Sequence, residues 1–268
     1  MYLRGIHAEP RIRALLDFIR ENPLGILTTA ISSPSYPLIQ SSHVPWVLDV
    51  ISDDPEAPIK GRLRGHMARQ NPQSKAIVES LQSSSSSSED SSQNYLSQEV
   101  MVLFTAPHHH YVTPKFYTET KPATAKVVPT WNYAAVQIYG KARIYHVSSA
   151  PETSEYLGQQ MKDLTTLCEG NIMGYTGEKG TKEGPWEVED APERYLEIMK
   201  KNVIGIEIEI ERIGGKYKMS QEMSKGDREG VIEGFKALGS EVGVQISECV
   251  RERGEMHDEA KERAKESS

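Results

Sequence analysis

The sequence has little cysteine, no long apolar run and no excess of basic residues. Its two cysteines, Cys168 and Cys249, lie far apart and form neither a CxxC pair nor a metal-finger spacing. This excludes a disulfide framework or a zinc finger and predicts free thiols in a reducing compartment. No apolar stretch approaches the roughly 20 residues that a membrane-spanning helix needs. The first residues reach a charge before an apolar signal segment forms, so we expect a cytoplasmic protein without membrane contact.

The charge balance argues against binding to polyanions. The formal net charge is −7 and the isoelectric point is about 5.7. Binding of DNA or RNA needs a concentrated basic surface, and the sequence has neither a basic stripe nor a helix-turn-helix pattern. Glycine-rich dinucleotide and P-loop motifs are also missing. We therefore expect no direct nucleic-acid binding, whereas a local site for one phosphate group stays compatible with the charge.

What is present is a pattern of short strands and amphipathic helices, with 37% hydrophobic and 26% charged residues. A helix is predicted over residues 10–21 and a strand over 40–49. The clearest strand is 203–212, where four isoleucines alternate with glutamates. Gly214–Gly215 then predicts a hairpin turn. Many short strands with turns between them and helices at the periphery indicate an α+β barrel.

Composition also predicts the domain organisation. Residues 1–235 are predicted to form one domain, interrupted by a serine-rich insertion at 82–94 that has too few apolar side chains to fold. Asp190 is predicted to cap a helix over 191–201. Residues 236–268 are predicted to be a charged tail, either helical or disordered.

Four groups of motifs occur in order along the chain. They are Pro23–Leu27 with Ser42–Pro45, Leu63–Pro72, Pro107–Tyr117 with Lys126–Tyr133, and Gly205–Glu209 with Gly215–Gln221. Together they resemble the PaiB family of FMN-binding split-barrel proteins, which are also described as negative transcriptional regulators. The serine insertion and the charged tail depart from the compact family pattern, as in a eukaryotic-looking member.

The resemblance implies an FMN-binding split β-barrel, six-stranded and antiparallel, with peripheral helices. It also implies a homodimer with FMN at the interface. Related split barrels hold the FMN phosphate just after one barrel strand, which corresponds here to His66, Arg69 and Asn71. The chemistry agrees, because a phosphate dianion favours a guanidinium fork and the N–H groups at a helix start.

The same resemblance implies further cofactor contacts along the chain. Ser42, His43 and Val44 are placed at the isoalloxazine edge, and Gly65 permits close approach of a flat ring beside Arg64. Arg64 is a candidate for stabilising a reduced, anionic flavin. The remaining candidates are Thr130, Trp131, Asn132 and Tyr133, for stacking and hydrogen bonding, and Lys216 and Gln221, from the partner protomer.

Three functions stay open at this point. The first is a flavin-dependent oxidoreductase acting on a small organic substrate, with His66 and Tyr133 as candidate proton carriers. The second is a non-catalytic transcriptional or ligand-sensing regulator. The third is a haem- or metal-binding split barrel that uses His43, His66 and one of His108–His110. We expect no metal, because consecutive histidines on a strand point to opposite faces. Which of His108, His109 and His110 matches the family stays open.

Overall fold

The computed structural model describes residues 1–52, 60–85, 94–177 and 183–266. The strands are β1 (Ala8–Glu9), β2 (Leu24–Ala30), β3 (Ile39–Pro45), β4 (Val47–Ser52), β5 (Lys60–Ala68), β6 (Val100–Thr105), β7 (His110–Val112), β8 (Thr130–Tyr145) and β9 (Val203–Lys218). The helices are α1 (Ile12–Glu21), α2 (Pro72–Ser85), α3 (Thr120–Thr124), α4 (Pro151–Leu167), α5 (Glu193–Lys201), α6 (Lys225–Lys236) and α7 (Glu241–Glu266).

The chain divides into two compact units. The barrel unit comprises Ile19–Phe104 and Ile138–Ile213. The terminal unit comprises Met1–Phe18, Thr105–Gln137 and Gly214–Ser268. Strands β8 and β9 contribute residues to both units.

The main sheet curls into a barrel. Its strand order is β3-β2-β6-β8-β9-β5-β4, and the pairings β3–β2, β2–β6, β9–β5 and β5–β4 are antiparallel. Strands β3 and β4 stand at opposite ends of this order, yet the buried Trp46 alone separates them in the chain. A sheet whose two ends are joined by one residue must curl round on itself. Counting β3 and β4 as one bent strand, six strands follow this order in the described chain, which confirms the predicted six-stranded split barrel.

The alternating pattern of β9 produces the core of the barrel unit. Ile204, Ile206 and Ile208 are fully buried, while Glu209 is exposed. Strands β8 and β9 pack unusually closely, because a Cβ at Gly140 would lie 1.9 Å from the backbone oxygen of Glu209. Glycine is therefore required where these two strands meet.

The predicted hairpin turn at Gly214–Gly215 is wrong. Strand β9 continues through both glycines and pairs with β1, with Gly215 opposite Glu9. A Cβ at Gly215 would lie 2.1 Å from Cδ2 of Leu15. These glycines therefore serve the close packing of α1 against β9, which is a tertiary need that a local turn signal does not reveal.

Other boundaries also differ from the sequence expectation. The predicted strand 40–49 is interrupted at Trp46. Asp190 does not cap α5; it ends a 3-10 helix, where its side chain accepts a hydrogen bond from the backbone N–H of Glu187, and Pro192 precedes α5. Of the serine-rich insertion, 82–85 belong to α2, and 86–93 lie outside the described residues.

The charged C-terminal segment is helical. Of the two alternatives for residues 236–268, the structure shows a helix, α7, which packs against α6 within the terminal unit. Its buried side is formed by small and β-branched residues, Gly243, Ile246, Ser247, Val250 and Gly254. None of the helices in the described part of the chain is long and apolar enough to cross a membrane.

Candidate functional site

The predicted site residues divide between the two units. The barrel unit holds Ser42, His43, Val44, Arg64, Gly65, His66, Arg69 and Asn71. The terminal unit holds Thr130, Trp131, Asn132, Tyr133, Lys216 and Gln221.

In the barrel unit, Asn71 ties the start of α2 to β3. Its Nδ2 donates to the hydroxyl of Ser42 at 3.0 Å, and its Oδ1 accepts from the backbone N–H of Gln73 at 2.9 Å. Asn71 is therefore the N-cap residue of α2. Because the Ser42 oxygen already accepts a hydrogen bond, its own proton can be donated to a further group.

Replacing Asn71 with alanine is expected to lower the free energy of unfolding by about 2 kcal/mol, since it removes both the helix cap and the bond to Ser42. Urea unfolding followed by circular dichroism measures the change. Ser97→Ala is a suitable control, because this exposed serine bonds only its neighbour Gln98 in the described chain and should change stability by less than about 0.5 kcal/mol. Equal effects of the two substitutions would contradict the role of Asn71.

The guanidinium of Arg69 donates hydrogen bonds to three backbone carbonyls. Its Nη2 donates to His146 O at 2.8 Å and to Val203 O at 3.1 Å, and its Nε donates to Lys201 O at 3.2 Å. Its Nη1 has no hydrogen-bond partner in the described chain. The guanidinium is thus fixed in place and retains two N–H donors for an anion, so its predicted contact with a phosphate stays a prediction that the geometry allows.

Arg64 is surrounded by carboxylates. Nε and Nη2 donate to Asp49 at 2.7 and 2.9 Å, and Nη1 forms an ion pair with Asp163 at 2.8 Å. The hydrogen bond to Asp49 is the main reason that the pKa of Arg64 is raised. Burial by itself would raise the pKa of Asp49, but hydrogen bonds from Arg64 and Arg62 outweigh it and lower that pKa. Arg64 first serves this ion-pair network, and its predicted contact with a reduced flavin stays a prediction.

Val44 and Gly65 lie in the core, whereas His43 is exposed. A Cβ at Gly65 would meet Cγ1 of Val44 and Cε3 of Trp46, both at 2.9 Å. The close approach that Gly65 permits is thus used by these two side chains. His43 on β3 lies opposite Ile26 on β2, and its imidazole is at the surface.

His66 forms a short hydrogen bond with a residue that the sequence did not single out. Its Nδ1 lies 2.6 Å from Oε1 of Gln160, which belongs to α4 and is fully buried. With the amide oxygen of Gln160 facing the ring, Nδ1 carries the proton and Nε2 is left as a proton acceptor. Nε2 of Gln160 has no partner in the described chain, so the tautomer of His66 depends on the orientation of this amide.

In the terminal unit, Trp131 belongs to an exposed aromatic cluster. Its ring makes edge contacts with Tyr111 at 6.2 Å and its Nε1 donates to Nδ1 of His109 at 3.3 Å. Strand β8 begins at Thr130, and its residues 130–132 pair with β7. This pairing sets the indole at the surface, where a planar ligand has access to it.

Asn132 is fully buried and keeps an unused donor. Its Oδ1 accepts from the hydroxyl of Ser220 at 3.2 Å, while its Nδ2 has no partner in the described chain. Thr130, two residues before, accepts a hydrogen bond from Nζ of Lys218. This donor is enclosed by the protein, so no ligand reaches it in this conformation, and the predicted cofactor contact of Asn132 stays a prediction.

Lys216 lies between two aromatic rings. Its Nζ is 5.4 Å from the ring centroid of Tyr133 and 6.0 Å from that of Tyr2, and the side chain is buried. No carboxylate of the described chain forms an ion pair with it. Gln221 has a structural role, because its Nε2 donates to the backbone oxygens of Ile6 and Tyr217.

The three consecutive histidines do not converge. His109 contacts Trp131, His110 packs edge-on against Phe235 at 5.3 Å, and Nδ1 of the half-buried His108 has no hydrogen-bond partner in the described chain. Within the described ranges no three His, Cys, Asp or Glu side chains gather as a metal site.

Each unit offers groups that suit one part of a flavin nucleotide. The barrel unit offers the Nη1 donors of Arg69 and the hydroxyl proton of Ser42 to a phosphate. The terminal unit offers the exposed face of Trp131 to a planar ring. Both the stacking surface and the hydrogen-bond donors that a flavin nucleotide requires are therefore present.

The sequence did not identify Gln160, Asp49, Asp163 or Lys218, which hold predicted site residues in place. Gln160 is 94 residues from His66 along the chain and Lys218 is 88 from Thr130, whereas Asp49 is 15 from Arg64, on the neighbouring strand. A polar side chain on an ordinary strand or helix has no local signature, so nothing in the sequence pattern selects these four.

Comparisons with known proteins agree with the motifs. Residues 1–212 match the family described as "Putative FMN-binding domain". An uncharacterized protein of Aspergillus fumigatus is 57% identical, over 96% of this chain and 99% of its own length. The protease synthase and sporulation protein PAI 2 of Bacillus subtilis is 25% identical over 94% of this chain and 98% of its own. Among solved structures, an FAD and heme binding protein of Mycobacterium smegmatis matches with a TM-score of 0.44 and 12% identity, over 79% of this chain and 73% of that one.

Proposed function

Because the chain belongs to the PaiB-type family of FMN-binding split-barrel proteins, we propose that it is an FMN-dependent oxidoreductase acting on a small organic molecule. The proposed active form is a homodimer that holds FMN between its protomers. The observation that carries the proposal is the exposed indole of Trp131, which offers a stacking face to a planar ring. The cytoplasmic location stays a prediction.

In this proposal the flavin is held by groups that the fold already orients. Arg69 directs Nη1 at the phosphate while its other donors stay on backbone carbonyls. Trp131 covers the ring, and Lys216 adds positive charge beside Tyr133. Since these side chains are fixed before the ligand arrives, little conformational entropy is lost on binding.

The bound flavin supplies reversible transfer of a hydride to or from the substrate. The chain supplies proton handling. His66 holds a proton on Nδ1 through Gln160 and presents Nε2 to accept one. Tyr133 offers a phenolic hydroxyl as a second proton carrier.

The test is an absorption spectrum of the purified protein, followed by mass analysis of the released cofactor. We expect flavin bands and a released mass equal to FMN. Trp131→Ala is expected to weaken FMN binding about tenfold, because it removes the stacking face. Trp186→Ala is the matched control: Trp131 and Trp186 are 48% and 47% exposed, and Trp186 is not a predicted cofactor contact.

The outcomes separate the alternatives. A colourless protein whose stability does not respond to FMN would contradict the flavin proposal. A Soret band on haem titration that is lost on replacing one histidine would favour haem. Bound FMN that is never reduced by a nicotinamide or a chemical donor would favour a ligand-sensing regulator over an enzyme.

A further inference from the structure

The terminal unit contains a large cleft. Its volume is about 760 Å³, within the range of sites for small organic ligands. Residues 5–11 form one wall and α7 forms another, with Tyr217 and Gln221 between them. Of the predicted flavin residues in the described chain, Gln221 alone lines it.

The floor of the cleft holds two guanidinium groups around one carboxylate. Glu9 is buried and accepts from Nε and Nη2 of Arg11 at 2.8 and 2.7 Å, and from Nη1 of Arg253. Nη1 of Arg11 and both Nε and Nη2 of Arg253 have no acceptor in the described chain. Two cations therefore share one anion, and three N–H-bearing nitrogens remain without a partner.

The Arg253 guanidinium is also fixed in position. Its Cζ lies 3.4 Å from the ring centroid of Tyr217, and Tyr217 in turn packs edge-on against Phe18 at 5.8 Å. The side chain of Arg253 is only 12% exposed. A cation that is stacked, largely shielded from water and short of acceptors favours an oxyanion beside it.

The charge of the whole cleft points the same way. Its lining contains three arginines and two glutamates. Two of the arginines share Glu9, and the third, Arg263, pairs with Glu259 at the rim. The cleft thus has an excess of positive charge in a chain whose net charge is −7. The rest of the lining includes apolar side chains, Ile6, Pro10, Met256 and Ala260.

We propose that this cleft binds a small organic oxyanion, a carboxylate or phosphate monoester with an apolar body. Arg11 and Arg253 hold the charged head, and the side chains of Ile6, Pro10 and Met256 contact the body. The site is separate from flavin binding and does not depend on it.

The experiment is isothermal titration calorimetry of the full-length protein, as purified, with hexanoate, phenyl phosphate and inorganic phosphate. We expect hexanoate or phenyl phosphate to bind with a Kd below about 1 mM, and the stronger of the two identifies the head group. Inorganic phosphate is expected to bind at least about tenfold more weakly, because it cannot bury apolar surface.

Three variants locate the binding. Met256→Trp fills the apolar wall and Arg253→Gln removes a head contact, and each is expected to weaken binding at least about tenfold. Arg212→Gln, an exposed arginine of the barrel unit paired with Glu99, should bind like the parent protein. If Arg253→Gln does not fold by circular dichroism, Met256→Trp decides the question.

Several results would overturn the proposal. These are no organic probe binding below about 10 mM, unchanged binding in Met256→Trp, or inorganic phosphate binding as tightly as the organic probes. Displacement of bound FMN by the organic anion would also overturn it, because the anion would then occupy the flavin site.

Discussion

The substitution His66→Gln is expected to lower kcat for flavin-linked turnover by about 100- to 1,000-fold, the range that a positioned general base contributes. The reason is the hydrogen bond that joins Nδ1 to Oε1 of Gln160 at 2.6 Å, which in this amide orientation leaves Nε2 as the proposed proton acceptor. Glutamine keeps a polar side chain but cannot accept and release a proton at neutral pH. Stopped-flow measurement of flavin reduction and reoxidation with a substrate found by screening would give kcat.

Gln160 is a positioning residue and can be tested independently of folding. In Gln160→Glu a carboxylate faces Nδ1 and stabilises the protonated imidazole, so the acid limb of the pH profile should move to higher pH by about one unit. Gln159→Glu is the control, since Gln159 is exposed on the same helix and bonds Asp163. Its profile should match that of the parent. If His66→Gln retains both FMN and an unchanged kcat, His66 is not the proton carrier.

The second large effect is on stability. Glu9→Leu is expected to lower the free energy of unfolding by about 3 kcal/mol, because it leaves the shielded guanidinium of Arg253 without its carboxylate and removes the partner of the more exposed Arg11. The side chains of Glu9 and Arg253 are 1% and 12% exposed. Urea unfolding at neutral pH measures the loss. Glu99→Leu is the control: its ion pair with Arg212 is exposed and should contribute less than about 1 kcal/mol.

The same carboxylate makes the stability depend on pH. Burial alone would raise the pKa of Glu9, but hydrogen bonds from Arg11 and Arg253 outweigh it and lower the pKa to about 2. A carboxyl with a lowered pKa stabilises the folded state above its unfolded pKa, and this contribution is lost as the pH falls from about 5 to about 2. The stability difference between the parent and Glu9→Leu should therefore shrink over that interval. A difference that stays constant from pH 6 to about pH 2 would contradict the assignment.

Parts of the candidate site could be predicted from motifs and parts could not. The motifs around Arg69 and Trp131 name residues whose side chains still offer donors or an exposed ring. The same motifs do not reveal that Arg64 pairs with Asp49 and Asp163, since those contacts join a strand to another strand and to a helix far along the chain. Side-chain partners across such separations are chosen by packing, which local patterns do not encode.

The C-terminal segment shows the same limit. Its high charge favoured a frayed end, yet Arg253 on α7 reaches Glu9, 244 residues away, and stacks on Tyr217. A run of charged residues is normally interpreted as solvent-exposed, unless a buried partner is known. The contact between Arg253 and Glu9 cannot be predicted from either segment alone, because it joins the N-terminal and C-terminal parts of the chain.

Local chemistry by itself predicted the clearest strand, the first helix and the family resemblance. Alternating isoleucines must bury one face, as they do in β9, and Pro72 and Pro151 each stand at the first position of a helix. Tertiary structure decided the rest: Gly215 became part of a strand because Leu15 packs onto it, and His66 acquired its hydrogen-bond partner because Gln160 lies beside it. Periodicity acts between residues a few positions apart, whereas close packing and hydrogen-bond partnership depend on which distant segments the folded chain brings together.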